Sequence, residues 1–207
     1  MKKGLIVVLM FNVNLLYSQF PAMSDSCIYI VARGTISKQN LISKKFNIFK
    51  NTYTHIGLGL ITNDEFLIYN VSMDQKIKNS NLLLQSWDKF KNYEDIISLS
   101  IWEYKIDAFD FIIIKEYLSV LKNGKIKFDM QFSLENNDFY CSEFVANVLN
   151  KSENLEFKPH KKKLISPIKN ILEKDTLSYF PVDFFLENQK FKQVYYKSIN
   201  LSHYEKN

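Results

Sequence analysis

Apolar and polar positions change rhythm along this chain, and the changes mark its elements. Cys27-Ile28-Tyr29-Ile30-Val31 is a continuous apolar run that predicts a first strand. Two further runs, Thr54 to Ile61 and Phe66 to Ser72, flank Asn63-Asp64 and predict a hairpin turned at that pair. Farther on, Ile97, Leu99 and Ile101 alternate with Ser98, Ser100 and Trp102, the two-residue period of a half-buried strand. From Asp107 the period lengthens to that of a helix. Phe109, Ile112, Ile113, Tyr117, Val120 and Leu121 share one face, Asp107 is placed to cap the start, and Asn123-Gly124 supplies the stop. A second helix is expected from about Tyr140 to Asn150, with Phe144, Val145, Val148 and Leu149 as its stripe and Asp138 as its cap. Lys192 to Leu201 predicts a final strand, whereas Leu177 to Leu186 has no period and is expected to be irregular.

The first 19 residues stand apart. Lys2 and Lys3 precede an apolar stretch from Gly4 to Tyr17 and small and polar residues at Ser18-Gln19, the pattern of a secretory leader cleaved near Gln19. The stretch is short for a membrane span, and Asn12 and Asn14 interrupt it. Cys27 follows Asp25 and Ser26, which does not suit a lipidated cysteine. The expectation is a signal peptide over residues 1–19 and one exported domain over 20–207, periplasmic or secreted, because no repeat, linker or low-complexity break follows.

Composition narrows the chemistry. With 46% apolar and 24% charged residues among 207, the chain is neither disordered nor fibrous. Two cysteines and three scattered histidines (His55, His160, His203) are too few for a disulfide scaffold or a histidine-rich centre, so neither metal nor other cofactor is expected. The net charge of +5 falls to about +3 without the leader. Arg33 is the only arginine, leaving almost no planar donor for guanine edges or clustered phosphates, so nucleic acid is not an expected partner. Lys161-Lys162-Lys163 reads as a solvated loop, with a membrane-surface or polyanion contact as the alternative. His160 and His203 read as surface residues.

Two places carry candidate chemistry. In Tyr53-Thr54-His55-Ile56-Gly57-Leu58-Gly59-Leu60, strand alternation points Ile56, Leu58 and Leu60 one way and His55, Gly57 and Gly59 the other. Glycines on that face mark a close approach by a ligand or another backbone. The alternative is a core histidine bonded to a neighbour. A two-residue turn at Asn63-Asp64 would pair Gly57 with Asn70 and His55 with Ser72, making Asn70 a diagonal neighbour of the imidazole. A histidine base needs its second ring nitrogen held, and an amide oxygen does this. Asn70 is the first choice for that role and Ser72 the reserve; a bulge would turn Asn70 away.

The second place is Phe139-Tyr140-Cys141-Ser142-Glu143, where a polar loop enters the amphipathic helix. A thiol in a first helical turn feels unpaired N–H groups and the positive dipole end, which favour thiolate. The same N–H groups suit an oxyanion. A packed, inert cysteine is the alternative.

Together, a thiol at a helix start and a histidine on a glycine-faced strand supply nucleophile and base. The words His55-Ile56-Gly57 and Tyr140-Cys141-Ser142-Glu143 resemble those of the permuted papain-like amidases of the YiiX and YaeF type, in the NlpC/P60 superfamily. The likeness spans about Ile28 to Tyr179. It implies an α+β, circularly permuted papain-like fold, an antiparallel sheet packed against helices, with the histidine ahead of the cysteine and the nucleophile at a helix N-terminus. It further implies a thiol hydrolase or acyltransferase acting on an amide or ester bond of a peptide, a peptidoglycan fragment or an acyl lipid. Cys141, His55 and Asn70 would be catalytic, and Tyr140 and Gly57 would lie against the substrate. Where relatives often carry Glu, this chain has Asn70. Asp129 reads as structural, and Glu143 as a partner for backbone groups at the helix start. A different class of function is an exported binding module that holds a lipid or peptide without chemistry. A Cys27–Cys141 disulfide would favour it by consuming the nucleophile.

Overall fold

The computed structural model describes residues 20–36, 41–49, 52–73, 81–92 and 95–199. The expected leader, the end of the tail and His203 lie outside them. Six strands form one antiparallel sheet in the order β4-β3-β2-β1-β5-β8: β1 (Cys27–Thr35), β2 (His55–Thr62), β3 (Glu65–Val71), β4 (Leu82–Ser86), β5 (Ile96–Lys105) and β8 (Lys192–Ser198). The helices are α1 (Leu41–Phe46), α2 (Trp87–Lys91), α3 (Ala108–Asn123), α4 (Cys141–Leu149) and α5 (Ile168–Leu172). This is an α+β architecture.

The apolar run at Cys27 becomes the central strand, buried along its whole length because both faces of the sheet are covered. One face carries Ile28, Ile30, Ile56, Leu58 and Leu60 against Cys141, Phe144, Val145 and Val148 of α4. The other carries Tyr29, Val31, Ile68 and Ile101 beneath Phe66, Phe90, Trp87 and Tyr195. Strand β5 is buried on both sides too: Ser98 and Ser100 lie inside, not at a solvent face as their alternation with isoleucine predicts.

The hairpin forms at the expected pair. Thr62 faces Glu65, Leu58 faces Tyr69, and Asn63 and Asp64 take positive φ values of 51° and 62° between them, the left-handed pair that matches strand twist. Asp107 caps α3 by accepting the Asp110 N–H at 2.9 Å.

Several expectations are corrected. The buried side of α3 is Asp110, Ile114, Leu118 and Leu121, while Phe109, Ile112 and Val120 face out. The helix is rotated because the Asp110 carboxylate is bonded to Ser152, the Glu153 N–H and Asn154. Gly124 ends α3 with φ −81°, so its freedom to go left-handed is not used. Helix α4 begins at Cys141 with Tyr140 as N-cap; Asp138 instead accepts the Lys127 N–H at 3.2 Å. The lysine run is no loop but part of β6 (His160–Lys163), paired with β7 (Thr176–Tyr179). The stretch expected to be irregular thus holds β7 and a 3-10 turn, Phe184–Glu187. His160 is half-buried, its Nε2 2.5 Å from the Glu187 carboxylate, because β7 and that turn cover it.

Candidate active site

His55 opens β2 and lies directly across from Arg33 of β1. Its Nε2 is 3.0 Å from Oδ1 of Asn70, the diagonal contact that the hairpin register allows. Asn70 is buried, and its Nδ2 donates to Oε1 of Gln85 on β4 at 3.1 Å. That second bond fixes which end of the amide meets the histidine. Oδ1 accepts, so Nε2 carries the proton and Nδ1 is left as the basic nitrogen. The ring lies against Phe90 of α2, centroids 5.8 Å apart and planes 30° apart. Ser72 is not in this chain of bonds; its N–H donates to the Asn81 carbonyl.

The glycine face is occupied by protein. A Cβ on Gly59 would come 2.5 Å from the Phe66 ring, and one on Gly57 would meet Ile68 at 2.8 Å, the Tyr69 carbonyl at 2.9 Å and the Asn70 Cβ at 3.0 Å. The close approach at Gly57 is therefore that of β3, and it is what lets Asn70 reach His55.

Cys141 occupies the first turn of α4, 8% exposed, with the Ile56 and Ser142 N–H groups directed at its sulfur. The sulfur and the imidazole thus flank one peptide, His55–Ile56. They reach it from different sides: Cys141 packs in the core that holds Ile56 and Leu58, whereas His55 shares the Arg33 and Phe90 side. Among the described contacts no hydrogen bond joins thiol and imidazole.

The charge state differs from the local expectation of a favoured thiolate. Burial pushes the Cys141 thiol up; the Ile56 and Ser142 N–H groups and the Arg33 charge only partly offset it. For His55, burial and then the Arg33 guanidinium lower the pKa to about 3, against the opposing pull of Asn70. Both groups rest neutral near pH 7.

Around the nucleophile, Glu143 accepts the Tyr140 N–H at 3.4 Å, the expected return bond at a helix start. Burial, the main cause, and the nearby Asp129 raise its carboxyl to about 8. The Tyr140 hydroxyl, buried, accepts the Phe180 N–H at 2.7 Å, and Ser142 Oγ donates to the Phe180 carbonyl at 2.7 Å. Asp129 accepts from the Gln131 and Ser133 N–H groups and so shapes the loop before α4. Cys27 and Cys141 are both free, in core clusters on opposite faces of the sheet.

Three residues of this arrangement escape a reading of sequence: Arg33, Gln85 and Phe90. Arg33 had one visible signal, a lone arginine at the end of an apolar strand in a chain whose other basic residues are all lysine. Gln85 and Phe90 had none, because only the sheet order places them here.

The fold is YiiX-like. The crystal structure of the metalloprotein yiiX from Escherichia coli O157:H7, DUF1105, superposes with a TM-score of 0.60 at 10% sequence identity, over 83% of this chain and 97% of that one. No family model matches the chain, and no curated protein does. The Escherichia coli protein is described as a metalloprotein, but the groups around His55 here do not fit a metal ion. They are two amides, a phenyl ring and a guanidinium, and a fixed cation opposes a second one. Among the described residues no three His, Cys, Asp or Glu side chains converge elsewhere.

Proposed function

We propose that this protein is an exported cysteine hydrolase or acyltransferase on a circularly permuted papain-like fold, acting on an amide or ester bond of a peptide, peptidoglycan fragment or acyl lipid. The observation that carries this reading is the hydrogen-bonded row His55–Asn70–Gln85, which leaves Nδ1 as the base one residue from the amide that faces the Cys141 sulfur.

In this mechanism the sulfur attacks the carbonyl carbon while its proton passes to His55 Nδ1 through water, because thiol and imidazole lie on opposite sides of the His55–Ile56 peptide. The carbonyl oxygen becomes an oxyanion, stabilised by N–H groups at the start of α4. The tetrahedral intermediate collapses, the C–N or C–O bond breaks, and His55 returns the proton to the departing amine or alcohol. Water or a second acceptor then attacks the thioester, His55 takes its proton, the C–S bond breaks, and the proton returns to the departing Cys141 thiolate.

The test is acylation of the mature protein by p-nitrophenyl acetate and butyrate, followed by intact-mass measurement. One acyl group is expected on Cys141, lost in Cys141→Ala and in His55→Ala and kept in Cys27→Ser. An adduct that survives Cys141→Ala overturns the reading. A second reading, a lipid- or peptide-binding module without chemistry, is favoured by the low exposure and neutrality of the Cys141 thiol. Absence of any adduct at Cys141, with retained binding of a fluorescent acyl probe, would select it.

A further inference from the structure

Arg33 is 5% exposed, in a strand where every other position is also buried. A buried guanidinium is costly unless its donors and its charge are used. Its Nη1 donates to the Phe90 carbonyl at 2.8 Å, and its central carbon lies 4.7 Å from the centroid of the Phe90 ring. One side chain of β1 thus holds both the backbone and the ring of the last buried residue of α2. That ring is the surface on which His55 lies, and His55 is the direct cross-strand partner of Arg33. Asn70 restrains the imidazole at one nitrogen. Phe90 restrains its plane, and Arg33 restrains Phe90. A lysine could supply the charge here but not the fork that grips a carbonyl while stacking on a ring.

We propose that Arg33 is a positioning residue of the site: it fastens Phe90 beneath His55 and sets a fixed positive charge beside the imidazole, so that the ring keeps one orientation at the start of β2. The inference rests on the reading of His55 as the base. Among the described residues, those facing His55 are Arg33 from β1, Asn70 from β3, which Gln85 of β4 holds, Phe90 from α2, and the thiol of α4 across the His55–Ile56 peptide; of these described groups Arg33 is the charged one. The charges on α2 itself, Asp88 and Lys91, pair with each other at 2.6 Å at the surface.

The experiment is an NMR titration of the His55 ring in the mature full chain, with the resonance assigned by its loss in His55→Gln. Wild type is compared with Arg33→Gln and Arg33→Lys. In wild type the ring is expected to remain neutral at pH 5, with Nε2 protonated and its carbon-bound protons shifted by the Phe90 ring current. Arg33→Gln is expected to raise the His55 midpoint by about one pH unit or more and to change the ring-current shift. Arg33→Lys is expected to keep the ring neutral at pH 5 but still to change that shift, which a purely charge-based role would not do. A folded Arg33→Gln with midpoint and shift unchanged overturns the proposal. Should Arg33→Gln fail to fold, an unchanged ring-current shift in Arg33→Lys overturns it alone. The readout asks nothing of Cys141. A responsive His55 in a protein that forms no acyl adduct would therefore remove the hydrolase reading and leave the positioning geometry standing.

Discussion

The Nε2 atom of His55 lies 3.0 Å from Oδ1 of Asn70, and the far end of that amide is tied to Gln85. The orientation of the amide, and through it the tautomer of the histidine, is set by a strand that touches neither His55 nor Cys141 in the sheet order.

Asn70→Ala is expected to slow acylation of Cys141 by about tenfold to a hundredfold, less than the 10²–10⁴ attributed to a general base itself. The same change leaves two half-buried polar groups, on His55 and Gln85, without that partner, at up to about 1–3 kcal/mol each. Asn70→Asp keeps an acceptor for Nε2 and should recover part of the rate while raising the His55 pKa, since a carboxylate favours imidazolium. Acylation rates with urea unfolding of the same variants separate the two effects. A full rate in folded Asn70→Ala would remove Asn70 from the mechanism.

How much of this was legible in the sequence depended on range. The turn at Asn63-Asp64 and the two-residue alternation of its strands are local, and together they place Asn70 beside His55. The start of α3 is local for the same reason, whereas α4 starts where expected but on Tyr140 and not on Asp138 as its cap. What tertiary contacts decide was misread. Helix α3 carries apolar residues on two faces, and the choice between them falls to the seating of Asp110 against Ser152 and Glu153. A helix start alone favours thiolate at Cys141, yet burial by the opposing sheet outweighs it. Arg33 and Phe90 reach the imidazole, and Gln85 reaches the Asn70 amide that holds it, from three different elements, which no spacing rule encodes.

Gly57→Ala and Gly59→Ala are expected to differ in kind. At Gly59 the added carbon meets the far edge of the half-buried Phe66 ring, a side chain and not backbone. At Gly57 it meets the Tyr69 carbonyl, which the β2–β3 pairing holds. Overpacking of this sort costs about 1–3 kcal/mol, with Gly57 toward the upper end. Gly57→Ala should also displace Asn70 and alter the His55 resonance, whereas Gly59→Ala should lower the unfolding midpoint alone. Equal His55 spectra in both variants would contradict the assignment of Gly57 to the approach of β3.

The Tyr140 hydroxyl accepts the Phe180 N–H and its ring packs on Phe132, centroids 5.1 Å apart. Tyr140→Phe removes only the acceptor and strands a backbone N–H, at about 1–3 kcal/mol of stability. If this tie to the 180 region is its main duty, KM for the nitrophenyl esters should stay within about twofold of wild type while the unfolding midpoint falls. A large rise in KM at unchanged stability would instead place the hydroxyl in the substrate site.

Two buried groups give stability opposite slopes against pH. His55 falls from an ordinary value near 6.5 to about 3 on folding, so the unfolded chain binds the proton more tightly. Its contribution is fully present above about pH 6.5 and is lost as pH falls toward 3. Glu143 rises from 4.5 to about 8, so the folded chain binds the proton more tightly. Its contribution is fully present below about pH 4.5 and is lost as pH climbs through 8. Between 4.5 and 6.5 the two oppose each other. Glu143→Gln keeps a neutral acceptor for the Tyr140 N–H. Relative to wild type, this variant should gain stability as pH rises from 5 to 8 and show no relative change below 4. His55→Gln should gain relative to wild type as pH falls from 6.5 to 3.5. Urea midpoints at half-unit pH steps check both signs. A Glu143→Gln curve parallel to wild type from pH 5 to 8 would mean that the carboxyl is already ionised at the start of α4.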